Sequence, residues 1–264
     1  MEALEGQNRD GGNLRNSFVA PGVALIAVLA FSSALFGQSP ARPAATNSSA
    51  AGTQAPDLSG VWQERAPASA RAYSGFAFTK DEPPMTPWAV AKYHEAKPTF
   101  GPKAVAVEES NSPDYNCLPP GVPYIYFRPH PVEIIQGNGR VIMYFEYDHF
   151  VREIFMDGRP HPDDLDPSWM GHAIGHYEGD TLVVDTIGFN DKTWLDRIGH
   201  PHSDQLHLVE RIRRVDHDTL QDDITIEDPK AYTKSWNAQL TFRLRSDWDI
   251  GEFICEEMMY AGHK

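Results

Sequence analysis

The chain has 264 residues and a formal net charge of −14, from 23 Lys and Arg against 37 Asp and Glu. With 41% hydrophobic and 23% charged residues it has the composition of a globular protein rather than a disordered one. The acidic balance argues against nucleic-acid binding, because binders of the phosphate backbone need a basic surface. Two cysteines exclude a disulfide-dense scaffold and any metal site built from four thiolates.

The N-terminal region predicts export. Residues 18–37 form one apolar run that follows two arginines. We interpret residues 1–37 as a cleaved signal peptide, with an uncleaved single-span membrane anchor as the alternative. Residues 38–56 are rich in Ala, Ser and Pro and predict a flexible linker before a single domain at 57–264. Both interpretations place that domain in the periplasm or outside the cell.

The first part of the domain is Pro-rich and holds one expected helix. Gly60-Val61-Trp62 resembles the Gly-x-Trp signature in the first strand of lipocalin-like barrels. Thr86 and Pro87 suit the N-cap and first position of a short helix that continues to residue 96. Further along, Cys117 is a candidate for a disulfide with Cys255, since exported proteins fold in oxidising compartments; two unpaired thiols are the alternative.

From about residue 131 the pattern changes to short strands and tight turns. Asn138-Gly139 and Asp157-Gly158 are strong hairpin signals. The expected strands are 132–136, 141–147, 150–156, 172–177, 181–187, 206–215, 219–226, 236–244 and 250–256. This pattern predicts an all-β fold of nine or ten antiparallel strands. We expect a closed, lipocalin-like barrel, with a β-sandwich as the alternative.

Polar residues on these strands suggest a reactive site. Eight of the 11 histidines fall between His149 and His217. Asp185 lies in a strand that is apolar on both faces, and Glu210 shares a face with Leu208 and Ile212, so both carboxylates should be buried. Burial and neighbouring charges tune such groups for general acid–base catalysis.

We therefore expect Asp185 and His207 to act as base and acid, Glu210 as the group that orients them, and His172 to face the substrate. In the alternative interpretation, Asp185 and Glu210 form structural ion pairs with nearby arginines at 211, 213, 214 or 243. His161 and His217 fall in turns and are expected to be solvated.

A metal site is the second possibility, although we expect no cofactor. His172, His176, His202 and His207 supply enough imidazole ligands for a divalent transition metal. Their spacing matches no established metal motif.

Aromatic residues complete the candidate site. Tyr126 and Tyr147 belong to an aromatic group that packs in the core or lines a pocket for an apolar ligand, and Trp194 lies in a long loop able to cover a barrel mouth. The favoured function is an exported enzyme of isomerase, lyase or cyclase type acting on a small molecule. A non-catalytic binding barrel and a His-coordinated metalloprotein are the alternatives.

Several segments together resemble a widespread family of exported bacterial β-rich proteins that has no established activity. The most specific is Gly-Asp-Thr-Leu-Val-Val-Asp-Thr at residues 179–186, followed by Phe-Asn-Asp-Lys-Thr-Trp-Leu-Asp at 189–196. The resemblance covers most of residues 57–260 and implies an export route. Many members have Cys-His-Glu where this chain has Cys255-Glu256-Glu257.

Overall fold

The computed structural model describes residues 55–65 and 77–257. The expected signal peptide or anchor at 1–37 lies outside the described residues, as does all but the end of the linker at 38–56. Within the described part of the chain, no helix is long and apolar enough to cross a membrane.

Nine strands form a closed barrel in which each strand pairs with the next and the last pairs with the first. The strands are β1 Gly60–Glu64, β2 Val132–Gly137, β3 Arg140–Phe145, β4 Val151–Phe155, β5 His172–Glu178, β6 Thr181–Ile187, β7 His207–Asp216, β8 Thr219–Glu227 and β9 Trp236–Leu244. The prediction of an all-β, lipocalin-like barrel is confirmed. The turn predicted at Asn138-Gly139 joins β2 to β3 as a hairpin.

Two details of the predicted topology are wrong. Strands β4 and β5 pair in parallel, through Ile154 with Ala173 and Phe155 with Ile174, whereas all other pairs are antiparallel. The turn at Asp157-Gly158 forms, but the chain then crosses to the other end of the barrel, as parallel pairing requires. Residues 250–256 do not form a strand, because the pairing of β1 with β9 leaves no open edge for one.

One helix precedes the main group of strands, as predicted. Helix α1 spans Pro87–Glu95, and the side chain of Thr86 accepts a hydrogen bond from the N–H of Ala89 at 3.3 Å. A later turn of 3₁₀ helix, Tyr124–Phe127, is fully buried. Tyr126 of this turn contacts the inward-facing rings of Phe145 and Phe242, so it reaches into the barrel.

Alternation along the strands separates an inner face from an outer one. The inner face is closely filled by large side chains, among them Trp62, Val132, Ile134, Met143, Phe145, Ile154, Leu182, Val184, Leu208, Ile212, Leu220, Ile224, Leu240 and Phe242. Outside the sheet, a disulfide joins Cys117 to Cys255 with their Cα atoms 5.6 Å apart. It ties the Pro-rich segment to the segment that follows β9.

Candidate functional site

A group of histidines and carboxylates lies on the outer face of the barrel, where β6 ends and β5 and β7 begin. His172 opens β5, Asp185 lies near the end of β6, and His207 opens β7. Gly171 brings the start of β5 close to β6: it has a φ of +67°, and a Cβ there would lie 2.7 Å from the Thr186 methyl group. Only glycine fits such a position without strain.

The side chains form an unbroken series of contacts that we call the histidine chain: His172, His161, Asp185, His207 and Glu227. The Nδ1 atoms of His172 and His161 are 2.8 Å apart, and His161 Nε2 is 2.8 Å from Asp185 Oδ1. Asp185 Oδ2 is 2.9 Å from His207 Nε2, and His207 Nδ1 is 3.2 Å from Glu227 Oε2. Four contacts thus connect residues from three neighbouring strands, the end of β8 and the loop before β5.

The chemistry of these groups fixes most of the proton positions. An ionised carboxylate only accepts hydrogen bonds, so His161 and His207 both donate to Asp185 from Nε2. His207 also faces the Glu227 carboxylate at Nδ1. Asp185 is therefore held between two imidazoles and orients both of them.

The contact between His161 and His172 has two proton arrangements. When His161 is neutral, its Nδ1 accepts the Nδ1–H of His172, and His172 Nε2 carries a lone pair. When His161 is an imidazolium, it donates from Nδ1, and His172 Nε2 carries a proton. The second arrangement holds one more proton than the first, so His172 becomes an acid at Nε2 when that nitrogen gains a proton and the Nδ1 proton moves to His161.

Electrostatics support this assignment of roles. Burial raises the pKa of Asp185, but the hydrogen bonds from His207 and His161 outweigh it and hold the pKa below its usual value. Burial, His161 and Arg159 lower the pKa of His172. At neutral pH Asp185 is thus an anion, and His172 is a neutral base.

The open end of the histidine chain is His172. Its Nε2 has no hydrogen-bond partner among the described residues, and its ring stacks on Phe155 with the centroids 5.3 Å apart. The Arg159 guanidinium lies over the same Phe155 ring at 4.1 Å. His161, by contrast, is only 16% exposed, so the expectation that it is solvated is wrong.

Glu210 does not belong to this group, which corrects the predicted site. It lies on the inner face of β7 and is completely buried, on the other side of the barrel wall from Asp185 and His207. Its carboxylate binds the guanidinium of Arg152 through both oxygens and accepts the hydroxyl proton of Tyr126 at 2.8 Å. Arg152 also donates to Thr186 Oγ1 at 2.9 Å.

We call Arg152, Glu210, Tyr126, Thr186 and Asp222 the inner cluster. Burial, with the Glu210 charge as the next cause, raises the pKa of Asp222 well above its usual value and so favours the protonated carboxyl. Its Oδ1 has no hydrogen-bond partner within the described residues. Glu210 therefore has a structural ion pair, but with Arg152 and not with any of the four arginines expected from the sequence. Asp185 pairs with histidines instead of arginines.

The other predicted site residues are scattered. Tyr126 is buried in the inner cluster, Tyr147 packs against Phe253 and Cys255, and Trp194 lies in the loop that follows β6. The structure thus does not bring these three aromatic residues together into one substrate pocket.

The alternative metal ligands are also dispersed. His176 is exposed and lies 3.2 Å from Glu178, whereas His202 is buried in the loop after β6 and contacts Thr193. Only His172 and His207 of the four belong to the histidine chain. Within residues 55–65 and 77–257, no group of three or more His, Cys, Asp and Glu is arranged to hold a metal ion.

A third polar group lies in the loop after β6. His200 is buried between two carboxylates, with Nδ1 2.6 Å from Asp196 and Nε2 2.9 Å from Glu82, and it stacks on Tyr93. Burial disfavours its charge, but Asp196 and Glu82 outweigh this and raise its pKa to about 9. His200 is therefore an imidazolium that ties this loop to the segment before α1.

Sequence reasoning missed His161, Glu227 and Arg152. The sequence does predict a buried Arg152, because the residue shares one face of β4 with Ile154. A charged residue on such an apolar face needs a buried partner. The contacts of His161 could not be predicted, because it lies in a loop and a loop has no strand or helix periodicity. Comparison with protein-family models, with curated proteins and with solved structures finds no match to this chain.

Proposed function

We propose that the protein is an exported enzyme that moves protons on a small, partly apolar substrate, with His172 as the residue that meets the substrate. One observation carries this proposal: the histidine chain is unbroken and ends in an imidazole nitrogen without a partner among the described residues. In many proton-transfer sites the base is hydrogen-bonded to a second side chain, which a third side chain orients in turn.

The proposed proton transfer uses the contact between the two imidazoles. A carbon-bound substrate proton moves to His172 Nε2, and the electron pair of the broken C–H bond stays on the substrate. The Nδ1 proton of His172 then moves to His161 Nδ1 across 2.8 Å. The His161 imidazolium is stabilised by Asp185, and the reverse transfers deliver a proton to another position of the substrate.

Asp185 and His207 act as positioning residues in this scheme. Asp185 accepts from both imidazoles and so fixes the tautomer of His161. His207 is itself held by Glu227 and keeps the second oxygen of Asp185 occupied. The expectation that Asp185 is the base is thus replaced by a role in orienting His161.

The surroundings of His172 fit a substrate with an apolar portion. Phe155 stacks on the imidazole and offers an apolar surface beside it. Isomerisation and elimination both begin with removal of a carbon-bound proton, so they are the reaction types that this site suits best. The Cys117–Cys255 disulfide supports an oxidising, extracytoplasmic location.

A binding barrel for an apolar ligand has less support. Lipocalin-type binding uses a cavity inside the barrel. Here Tyr126, Met143 and Arg152 occupy the interior.

Solvent deuterium exchange tests the proposal without knowledge of the substrate. The full-length protein is incubated in D₂O with a collection of small carbon acids, namely enones, lactones and β-hydroxy acids. Mass spectrometry then detects carbon-bound deuterium or a product of changed mass. We expect at least one compound to exchange or react, at a rate that falls about 100-fold or more in His172→Gln. Asp185→Asn should lower the rate about 10-fold or more.

His176→Gln is the matched control. It removes a histidine from the same strand and the same outer face, but His176 is exposed and outside the histidine chain. Its rate should equal that of the unmodified protein. Absence of exchange with the whole collection, or equal rates for His172→Gln and His176→Gln, would overturn the proposal.

A further inference from the structure

A concave site lies apart from the histidine chain, between α1 and the loop that follows β6. It has a volume of about 210 Å³. Its walls include Trp88, Glu95, Asp191, Thr193, Trp194 and His202. No residue of the histidine chain lines it, so its ligand is independent of the proton-transfer site.

The hydroxyl of Thr193 lines this pocket, and it already donates its proton to His202. His202 Nδ1 is 3.1 Å from the carbonyl oxygen of Ser203, which only accepts, so the proton of this ring lies on Nδ1. Burial lowers the pKa of His202 and keeps the ring neutral. Its Nε2 therefore accepts the Thr193 hydroxyl proton at 2.7 Å, and the free lone pairs of Thr193 Oγ1 only accept.

The rim of the pocket includes a second acceptor, the Asp191 carboxylate. Asp191 is exposed, and its carboxylate has neither a hydrogen bond nor an ion pair among the described residues. Lys92 is the cation in the wall, and it is already bound to Glu95 at 2.8 Å. The pocket thus has an uncompensated negative charge, which disfavours anionic ligands and favours a cationic donor.

Two indole rings complete the walls. Trp88 and Trp194 are both half-buried and line the same pocket. The Lys230 ammonium lies 5.1 Å from the centre of the Trp88 ring, so this ring already attracts a cation. An apolar group packed against the two indole rings removes their surfaces from water, which stabilises a bound ligand.

We propose that this pocket binds a small organic amine, with its ammonium group at Asp191 and Thr193 and its apolar part against Trp88 and Trp194. The ammonium pairs with the Asp191 carboxylate and donates to the Thr193 hydroxyl oxygen. The apolar part covers the two indole faces.

Isothermal titration calorimetry with benzylamine tests this inference on the full-length protein at pH 7. We expect saturable binding of one benzylamine per chain, and at least tenfold weaker binding to Asp191→Asn. Benzyl alcohol, which has the same ring without the charge, should bind at least tenfold more weakly than benzylamine. Trp194→Leu should also weaken benzylamine binding.

Asp180→Asn serves as the matched control, because it removes the same charge from the turn at the opposite end of β6. It should bind benzylamine as the unmodified protein does. No binding at millimolar benzylamine, equal binding by Asp191→Asn, or equal binding of benzyl alcohol would each overturn the inference. The deuterium-exchange assay at His172 is unaffected by any of these outcomes.

Discussion

The wall formed by β6 and β7 carries charged groups on both of its faces. On the inner face, Glu210 binds Arg152 within the inner cluster; on the outer face, Asp185 binds two imidazoles of the histidine chain. Strand alternation alone decides which carboxylate faces which side, since Asp185 lies opposite Val209 while Val184 lies opposite Glu210.

The two groups differ in what their protons can do. Burial disfavours the charge of Arg152, but Glu210 outweighs this and raises the pKa of Arg152, so the pair stays ionised. In the histidine chain Asp185 is 38% exposed and its partners are imidazoles, which exchange protons near neutral pH. A carboxylate with a permanent cation inside the barrel is structural, whereas one with titratable partners at the surface suits proton transfer.

Arg152→Met should give the largest effect and would break the inner cluster. Methionine fills part of the volume, but Glu210 is then left buried without its cation. Removal of one partner of a buried ion pair typically costs about 3–5 kcal/mol. We expect a loss of that size in the free energy of unfolding, measured by urea denaturation at pH 7.

Asp222→Asn provides the contrast within the same cluster. The raised pKa of Asp222 means that the folded state holds the carboxyl proton more tightly than the unfolded state does. Asn removes this penalty, so Asp222→Asn should be neutral or stabilising at pH 7, increasingly so at higher pH. A loss under about 1 kcal/mol for Arg152→Met, or a loss of about 3 kcal/mol for Asp222→Asn, would contradict this account of the cluster.

His200 resembles the inner cluster in its burial and the histidine chain in being an imidazole. Its pKa of about 9 lies above the value of about 6.5 in an unfolded chain. The folded state therefore binds the proton more tightly, and this stabilisation is complete below pH 6.5 and is lost as the pH rises through 9. The difference corresponds to about 3 kcal/mol.

Urea denaturation at pH 6 and pH 9.5 measures this contribution. His200→Asn should be less stable than the unmodified protein at pH 6, and the difference should shrink by about 3 kcal/mol at pH 9.5. His94→Gln, which changes an exposed histidine of α1, should keep the original pH dependence. A His200→Asn protein with the same pH dependence as the unmodified one would show that His200 does not carry this charge.

Most of the barrel was predictable because its strand pairs join segments that are neighbours in the sequence. Alternating strands and turns such as Asn138-Gly139 encode hairpins between neighbours in sequence. The parallel pairing of β4 with β5 was not predictable, since a turn signal at Asp157-Gly158 does not say where a long connection ends. Closure by β1 and β9 joins the two most distant strands, and its prediction rests on a three-residue resemblance and on the length of the domain.

The site was predictable in part for the same reason. His172, Asp185 and His207 come together because they occupy the outer face of three consecutive strands. Glu210 lies on the buried face with Leu208 and Ile212, as expected, but it was wrongly grouped with His207, which the alternation of β7 places on the opposite face. The partner that completes the chain, His161, comes from a loop whose path no periodic pattern encodes.

Asp185→Asn should cost much less stability than Arg152→Met or His200→Asn, and it tests the group on the outer face. The carboxylate is half-exposed and its ion pairs are screened by solvent, so its removal should cost about 1 kcal/mol or less in urea denaturation at pH 6. The lowered pKa means that this contribution is present above an unfolded value of about 3.9 and is lost as the pH falls through the folded one. The gap between Asp185→Asn and the unmodified protein should therefore close as the pH falls below about 3.9 and through the folded pKa.

His176→Gln should change stability by less than about 0.5 kcal/mol, as exposed surface substitutions usually do. A loss of about 3 kcal/mol for Asp185→Asn would instead show that Asp185, like Glu210, is a structural anion. A small loss of stability together with a large loss of deuterium exchange is the combination that a structural role does not produce. That result would show that the outer face of the wall serves proton transfer, whereas the buried inner face has a structural role.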